Sequence, residues 1–577
     1  MDIDLSTIHS PADIKGMDLD HLRQLSGELR AVLLRKLAAH GGHVGPNLGV
    51  VEATVALHYV FDAPKDEIVF DVSHQCYVHK MLTGRIEAFL DPAKYDDVSG
   101  FTAPSESPYD LFEIGHTSTS IALATGLAKA RDLKGGHQNV VAFIGDASLG
   151  GGMALEGLNN APTLGSNIII VLNDNQMSIA ENHGELYKHL ADLRNSNGTA
   201  ENNIFKALGY KYIYVKEGND VGELIRAFKE AKDQPCAVLV HINTMKGEGL
   251  PPAERNKEEF HFSAPFDLHT GALKNPDYSE DYSEMFTTWL LEKMHENPDV
   301  VGLTAGTPGA WGMTPARREL AGKQFVDVGI EEQDCVTMAA GLAKGGTIPV
   351  VGIVATFLQR AYDQLSHDVA INNLPVVFVD FYGSIFGMND MTHLGFFDIA
   401  MVSNIPNIVM LAPASAEEYL AMANWAITQR EHPVVIRTPG GAVVHTDRPV
   451  LEDFFKYDVV AKGADVALIA EGPFLPTALK AAEILKEKGV NPTVINPRIL
   501  SAIDTDTLDT LVGYRHVITI EDGIVDGGFG QKVAAYLADK GVKTTCLGLK
   551  KQFEDRFKVA DLLEANSLTP AQIASLA

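Results

Sequence analysis

Uninterrupted apolar runs, separated by glycine-rich turns and amphipathic stretches, constrain the fold of this chain more than any other feature. Two examples are VVAFI at residues 140–144 and IIIVL at residues 168–172, which are rich in β-branched residues. Because neither run alternates with polar residues, both faces of each strand should be covered. The pattern predicts parallel βαβ units, with these runs as central strands packed between helices.

The same pattern recurs in two later blocks of the chain. The further apolar runs occupy residues 325–328, 349–354, 375–379, 466–470 and 517–520. At about 150 residues per domain, 577 residues suggest three or four domains. The predicted fold class is therefore α/β, with three doubly wound domains in series. The predicted domains comprise residues 1–300, 301–445 and 446–577.

Two polar segments are predicted to be loops within the first domain. One is the Asn-rich stretch at residues 195–203, and the other contains Pro251 and Pro252 followed by the charged run at residues 254–259. Neither segment is expected to end the domain.

Composition and charge narrow the possible partners and compartments. The formal net charge of −28 argues against nucleic acid and against an anionic membrane, because both reward clustered Lys and Arg. The four cysteines form no paired spacing typical of a disulfide framework or a zinc site. Since there is neither a leader-like N-terminus nor an apolar stretch of about 18 residues, we expect a cytoplasmic enzyme without a membrane partner.

A candidate metal site lies where two predicted strands end. Asp146 follows the first strand and Asn175 the next, and the carboxyl ends of parallel strands face one crevice. Mg²⁺ prefers oxygen ligands and commonly bridges a few protein oxygens to phosphates. We therefore predict a metal shell of Asp146, Asn175, the main-chain carbonyl near Met177 and two diphosphate oxygens. The alternative is that Asp146 only caps the following helix.

This Gly-Asp to Asn spacing resembles the thiamine-diphosphate signature of the transketolase superfamily. Further motifs resemble the 1-deoxyxylulose-5-phosphate synthase family within it. They are GGH at 41–43, DVSHQ at 71–75, GHTSTS at 115–120, NDNQMSI at 173–179, DVGIEEQ at 327–333 and TFLQRAYDQ at 356–364. The resemblance runs nearly end to end and implies a transketolase-like thiamine-diphosphate-binding fold.

The resemblance also implies roles for individual residues. Glu332 would hydrogen-bond the aminopyrimidine ring of the cofactor, Phe357 would pack on that ring, and Arg360 would lie beside it. The simpler interpretations are an acid at a helix N-terminus, a core Phe and a surface Arg.

Histidines form the second implied group. His43, His74 and His261 would surround the diphosphate and the reacting carbon, Lys246 would add positive charge, and His393 is a fourth candidate for proton transfer. A lone histidine is more often structural, but these stand in matching motifs. The catalytic candidates are Glu332, His43, His261 and His393. The other predicted cofactor contacts are Gly115, His116, Thr117, Ser118, Ala147 and Ser148.

The implied function is a thiamine-diphosphate- and Mg²⁺-dependent transferase. Such an enzyme decarboxylates a keto donor, pyruvate in the family, and adds the two-carbon unit to an aldehyde, glyceraldehyde 3-phosphate in the family. The resemblance further implies a homodimer, with Asp146 and Glu332 of one chain serving the same site. The third domain is expected to be structural and to form the dimer.

The sequence departs from the family where the acceptor aldehyde would bind. The family usually carries Arg, Tyr, Arg and Asp where Phe381, Val354, Gly440 and Asn389 stand. Neither Phe nor Gly can replace the bidentate contact that Arg makes with phosphate. A divergent paralogue or a transketolase with another acceptor or a ketose donor is therefore an alternative, as is an inactive cofactor-binding homologue. Arg437 is a candidate for a shifted phosphate site.

Overall fold

A computed structural model describes residues 3–577, which divide into two compact units. Unit 1 comprises residues 3–277 together with Gly329–Glu331, and unit 2 comprises Tyr278–Val328 and Glu332–Ala577. Across residues 3–577, no helix combines the length and apolar character that crossing a membrane requires.

Unit 1 contains a five-stranded parallel sheet in the order β1-β2-β3-β5-β4. Its strands are β1 (Glu67–Phe70), β2 (Val140–Gly145), β3 (Ile168–Asp174), β4 (Lys211–Val215) and β5 (Ala237–Asn243). Its helices are α1 (Leu19–His40), α2 (Val44–Leu48), α3 (Val51–Val60), α4 (Tyr77–Lys80), α5 (Glu87–Leu90), α6 (Ser120–Leu133), α7 (Asp146–Leu149), α8 (Gly152–Asn160), α9 (Glu185–Asn195), α10 (Ile204–Ala207), α11 (Val221–Ala231) and α12 (Pro251–Arg255).

Both faces of this sheet are buried, as the apolar runs predict. Along β2, Val141 and Phe143 belong to one hydrophobic cluster, whereas Ala142 and Ile144 belong to another. Because successive side chains of a strand point to opposite faces, the two clusters are the two faces of the sheet. The predicted central strands are therefore covered on each side.

Unit 2 begins with a six-stranded parallel sheet in the order β10-β11-β9-β8-β6-β7. Its strands are β6 (Val300–Thr304), β7 (Phe325–Asp327), β8 (Ile348–Val354), β9 (Val377–Phe381), β10 (Val409–Leu411) and β11 (Val434–Arg437). Its helices are α13 (Tyr282–Glu296), α14 (Pro315–Ala321), α15 (Glu332–Lys344), α16 (Ala355–Leu358), α17 (Tyr362–Gln364), α18 (Asp398–Val402) and α19 (Ala416–Thr428).

The third sheet, also in unit 2, has the order β12-β14-β13-β15-β16 and is parallel except for the edge strand β12. Its strands are β12 (Asp458–Ala461), β13 (Val466–Ala470), β14 (Pro492–Asn496), β15 (His516–Ile524) and β16 (Thr544–Leu549). Its helices are α20 (Leu475–Glu487), α21 (Thr505–Asp509), α22 (Phe529–Ala538), α23 (Val559–Ala565) and α24 (Pro570–Leu576). The α/β fold class with three doubly wound sheets is confirmed.

Three details differ from the expectations. The segment with Pro251 and Pro252 begins the short helix α12, because proline at the first helical positions removes no intrahelical hydrogen bond. The second sheet starts at β6, before the apolar run at residues 325–328 that was the first strand expected there. Helix α13 packs its Phe286 into the core of that sheet, so a domain boundary near residue 278 fits the packing better than one at residue 300. The exact boundaries stay a prediction.

Arg437 joins the second and third sheets through a buried ion cluster. Its side chain is 2% exposed, and its Nε lies 2.5 Å from Asp398 Oδ2. Its Nη1 pairs with Asp522 of β15 and lies 3.6 Å from Glu471 Oε1. Burial and the neighbouring Asp522 raise the pKa of Glu471 well above its usual value, with Arg437 opposing the rise. One guanidinium thus compensates several buried acids from both sheets.

Replacing Arg437 should destabilise unit 2 strongly. We expect Arg437→Ala to lower the free energy of unfolding by about 3–5 kcal/mol, because it leaves buried carboxyl groups without their cation. Urea denaturation followed by fluorescence measures the change. The control is Arg448→Ala, which removes a 48% exposed partner of Asp458 and should cost at most about 1 kcal/mol. Equal effects of the two substitutions would contradict the account.

Candidate active site

The carboxyl edge of the first sheet carries a buried carboxyl group that is only partly satisfied. Strands β2 and β3 end there side by side, with Gly145 in register with Asn173. Asp146, the first residue of α7, is 1% exposed, and its Oδ2 accepts a hydrogen bond from Asn182 Nδ2 at 2.8 Å. Among residues 3–577, its buried Oδ1 finds no hydrogen-bond partner. Burial, reinforced by Asp174, raises the pKa of Asp146 to about 8.

Asn175 lies just beyond the end of β3, at the same edge. Its Oδ1 accepts a hydrogen bond from the backbone N–H of Met177 at 3.1 Å, so the turn fixes the orientation of the amide. The preceding residue, Asp174, is paired with Arg194 and lies 2.9 Å from His241 Nε2. Asp174 therefore already has its counter-charge, in contrast to Asp146.

A cation bound here would depend on few charged ligands. Residues 3–577 contain no group of three or more His, Cys, Asp or Glu side chains arranged to hold a metal ion. A metal at this edge would combine one carboxylate with neutral oxygens and leave coordination positions for phosphate oxygens. Mg²⁺ is usually bound in this way.

Asp71 fixes the loop that contains residues 115–118. Its two carboxylate oxygens accept hydrogen bonds from the backbone N–H groups of Ser118 at 2.8 Å and Ser120 at 2.9 Å. Ser118 Oγ donates to the carbonyl of Ser148 at 2.8 Å, and a Cβ at Gly151 would overlap this hydroxyl. The predicted Gly115, His116, Thr117 and Ser118 thus lie in one loop, which the structure attaches to α7 with Ala147 and Ser148.

The three predicted histidines of unit 1 form one cluster. The ring centroid of His43 lies 5.0 Å from that of His74 and 5.8 Å from that of His261, while His74 and His261 stack at 5.2 Å. Burial lowers the pKa of His261 well below its usual value. The cluster therefore favours neutral imidazole at this position.

Lys246 contacts the same cluster. Its Nζ donates to the carbonyl of Ser178 at 2.6 Å and lies 3.3 Å from His261 Nδ1. Burial lowers the pKa of Lys246 to about 7, with Asp146 opposing the change. The lysine of the histidine cluster and the carboxylate of the strand edge are thus electrostatically coupled.

Several positioning residues were not predicted from the sequence. Asn47 Nδ2 donates to the carbonyls of both His43 and His74 at 2.8 Å and so holds the two histidine segments together. Phe101 packs edge-on against His43 at 5.6 Å. A usable signal for Asn47 was a polar residue within the apolar stretch that follows GGH. The sequence around Asn182, by contrast, contains no motif that predicts its hydrogen bond to Asp146.

A second group of predicted residues comes together in unit 2. Glu332 begins α15 and is 2% exposed, and its Oε2 lies 3.0 Å from Arg360 Nε. Burial raises the pKa of Glu332, and Arg360 opposes the rise. Phe357 of α16 packs against His393 with ring centroids 5.6 Å apart and planes at 82°. The carboxyl group and the aromatic ring predicted to contact the aminopyrimidine thus both lie in this unit.

Two of the divergent acceptor positions are core residues. Phe381 is 1% exposed at the end of β9, with ring centroids 6.2 Å from Phe286 and 6.0 Å from Trp311. Val354, at the end of β8, is also buried. Phe381 thus belongs to the hydrophobic core of the second sheet.

The other two divergent positions are tightly constrained. A Cβ at Gly440 would lie 2.5 Å from the side chain of Ser384, so a larger residue needs a different backbone there. Asn389 Nδ2 donates to the carbonyl of Phe557 at 3.1 Å. The prediction that Arg437 could form a shifted phosphate site is not supported, because its guanidinium is buried and paired with Asp398 and Asp522.

Comparisons with known proteins identify all three parts of the chain. Residues 5–201 match the family model described as 1-deoxy-D-xylulose-5-phosphate synthase. Residues 279–444 match the transketolase pyrimidine binding domain, and residues 456–573 match the transketolase C-terminal domain. Among solved structures, transketolase from Leishmania mexicana aligns over 96% of both chains with 16% identity and a TM-score of 0.46.

Curated relatives match almost the whole chain. The 1-deoxy-D-xylulose-5-phosphate synthase of Desulforudis audaxviator is 39% identical over 95% of this chain and 93% of its own length. The 1-deoxy-D-xylulose-5-phosphate synthase 1 of Geobacter sulfurreducens is 40% identical over 96% of this chain and 93% of its own length. The chain therefore belongs to the 1-deoxy-D-xylulose-5-phosphate synthase family, whose members are thiamine-diphosphate-dependent transferases that form carbon–carbon bonds.

Proposed function

We propose that this protein uses thiamine diphosphate and Mg²⁺ to decarboxylate pyruvate and to transfer the remaining two-carbon unit to an aldehyde. Glyceraldehyde 3-phosphate is the first candidate acceptor, because the relatives are named as synthases of 1-deoxy-D-xylulose 5-phosphate. The observation that carries the proposal is the buried Glu332 paired with Arg360, since a carboxyl group desolvated to this degree needs a fixed partner.

The residues of unit 1 fit a metal-bound diphosphate. Asp146 Oδ1 is buried and has no hydrogen-bond partner in the described part of the chain, which is unfavourable unless a cation or a donor completes it. Asn175 supplies an amide oxygen and the Met177 carbonyl a third protein ligand. Lys246 adds positive charge when protonated. The predicted contacts in residues 115–118, with Ala147 and Ser148, would bind the diphosphate oxygens.

The residues of unit 2 fit the pyrimidine ring. Glu332 would hold a proton on a ring nitrogen through a short hydrogen bond, and burial keeps water from competing with it. Phe357 would pack on the ring face, and Arg360 would keep the carboxyl group in place. When bound, thiamine diphosphate supplies the electron sink that allows a keto acid to lose CO₂.

The histidines would manage protons on the substrates. His43 and His261 lie in one cluster with His74, and a neutral imidazole can accept a proton from a substrate hydroxyl or share one with a substrate oxygen. Burial favours that neutral form at His261. His393, which packs on Phe357, would serve the acceptor in the same way.

Asp146→Asn should weaken cofactor binding without harming the fold. The substitution removes the only full negative charge proposed to bind the metal, so we expect thiamine diphosphate to bind at least about tenfold more weakly in saturating Mg²⁺. Because the raised pKa means that Asp146 lowers the stability of the folded protein progressively as the pH rises from about 4 to about 8, the cofactor-free variant should unfold at an unchanged or higher temperature at neutral pH.

Isothermal titration and thermal unfolding measure these two effects. The matched control is Asp192→Asn, which changes an exposed carboxylate on α9 and should leave both quantities unchanged. Wild-type affinity in Asp146→Asn would exclude Asp146 as a metal ligand.

Glu332→Gln should retain the cofactor but slow its activation. We expect exchange of the C2 proton of bound thiamine diphosphate to fall by about 10²–10⁴, because the positioned carboxyl group is lost. Acid-quenched deuterium exchange followed by NMR measures the rate, with the exposed Glu319→Gln as control. If the wild-type protein does not accelerate exchange above the rate of free cofactor, the chain is an inactive homologue.

A second candidate function is transfer to an unphosphorylated aldehyde. The observation that favours it is the absence of a guanidinium at positions 381 and 440, combined with the buried pairing of Arg437. Each charge-assisted contact with phosphate contributes roughly 1.5–3 kcal/mol, so the loss of two should weaken selection for the phosphate group.

The product assay separates the two candidates. Purified protein with thiamine diphosphate, Mg²⁺ and pyruvate should release CO₂ with either glyceraldehyde 3-phosphate or glyceraldehyde. We expect a preference for the phosphorylated aldehyde, as the ratio of kcat/KM values, of no more than about tenfold. A preference above about a hundredfold would mean that other groups replace the missing arginines. A ketose donor that works where pyruvate fails would indicate a transketolase.

The predicted homodimer and the cytoplasmic location stay predictions. Light scattering of the purified protein tests the first of them.

A further inference from the structure

His393 lies in a hydrogen-bonded series with two neighbours in the chain. The short 3₁₀ turn Met391–His393 follows Asp390, whose Oδ1 accepts hydrogen bonds from the Thr392 backbone N–H at 2.9 Å and from Thr392 Oγ1 at 2.6 Å. Thr392 Oγ1 also lies 2.8 Å from His393 Nδ1. The side chains of Asp390 and His393 are 19% and 12% exposed, so water has limited access to both.

The number of available protons fixes which atom donates in the two hydrogen bonds of Thr392 Oγ1. An ionised carboxylate can only accept, so the single hydroxyl proton of Thr392 must point to Asp390. Although burial opposes ionisation, contacts with His393 and Thr392 lower the pKa of Asp390, which keeps it charged. Since Thr392 Oγ1 then has only lone pairs to offer, His393 Nδ1 must carry the proton.

We propose that Asp390 and Thr392 are positioning residues that select the Nδ1–H tautomer of the His393 imidazole, so that proton exchange with the acceptor substrate takes place at Nε2. This inference rests on the proposed function, because it concerns the step assigned to His393. The imidazole accepts a substrate proton at Nε2, and Thr392 stabilises the charge that forms by accepting from Nδ1–H.

A loop of the third sheet's domain holds this segment in place. The backbone N–H of Arg556 donates to the carbonyl of Asn389 at 2.7 Å, and Asp555 Oδ1 accepts from the backbone N–H of Met391 at 3.3 Å. Together with Phe357, which packs on the His393 ring, these contacts restrict the imidazole to one orientation. Orientation and tautomer together determine which nitrogen faces the substrate.

The tautomer can be read directly from ¹⁵N chemical shifts. The full-length protein is labelled with [¹⁵N]histidine, and His393 is assigned from the signal lost in His393→Gln. Long-range ¹H–¹⁵N spectra are recorded near pH 8.5, well above the usual imidazole pKa of about 6.5. We expect wild-type His393 to show a protonated Nδ1 and an unprotonated Nε2. A protonated Nε2 in the wild-type protein would overturn the proposal.

Three substitutions separate positioning from simple folding. Thr392→Val should lose the Nδ1–H preference and lower kcat by about ten- to a hundredfold. Thr392→Ser should restore both, because it restores the hydroxyl. Asp390→Asn should keep the tautomer, since its amide oxygen still accepts from Thr392. An unchanged tautomer in Thr392→Val would refute the role of Thr392.

The outcome is distinguishable from failure of the proposed function. The spectra do not depend on turnover. If the tautomer follows the expected pattern while no carbon–carbon bond forms with any aldehyde, the proposed function is wrong and the assignment of the two positioning residues stands.

Discussion

Burial of charged side chains at the carboxyl ends of parallel strands determines the properties of both groups of residues proposed to bind the cofactor, one in unit 1 and one in unit 2. A charged group removed from water is unfavourable unless a partner of opposite charge is fixed beside it. Burial accordingly raises the pKa of Asp146 and Glu332 and lowers that of Lys246. Side chains with such shifted pKa values cluster at sites that bind ions or exchange protons, and these are the roles proposed for the three residues.

Buried carboxylates that are paired with a cation differ from one that still has an oxygen without a partner. Asp398 and Asp522 are matched by Arg437, and this cluster ties two sheets together. Asp146 has one oxygen without a partner, and a cation would complete it. The same comparison bears on the divergent acceptor positions: the guanidinium of Arg437 is committed to structure, and Phe381 is part of the core.

The features that could be predicted from the sequence are those set by local residue patterns, namely the central strands and the polar residues at their ends. Apolar runs gave the central strands, and the polar residues at their ends, Asp146 and Asn175, do lie at one edge of the sheet. The short strand β6 was missed, since its five residues include a glycine and give little periodicity. Asn47 and Asn182 were missed because their partners are set by tertiary packing. The role of Thr392 follows only from hydrogen-bond distances.

The most direct measurement is a crystal structure of the protein with thiamine diphosphate and Mg²⁺. The account predicts a metal ion about 2.0–2.1 Å from Asp146 Oδ1 and from the Asn175 amide oxygen, with remaining positions taken by the diphosphate. It also predicts the Glu332 carboxyl group within hydrogen-bond distance of a pyrimidine nitrogen. A metal ion bound elsewhere, or a pyrimidine ring without contact to Glu332, would contradict the account.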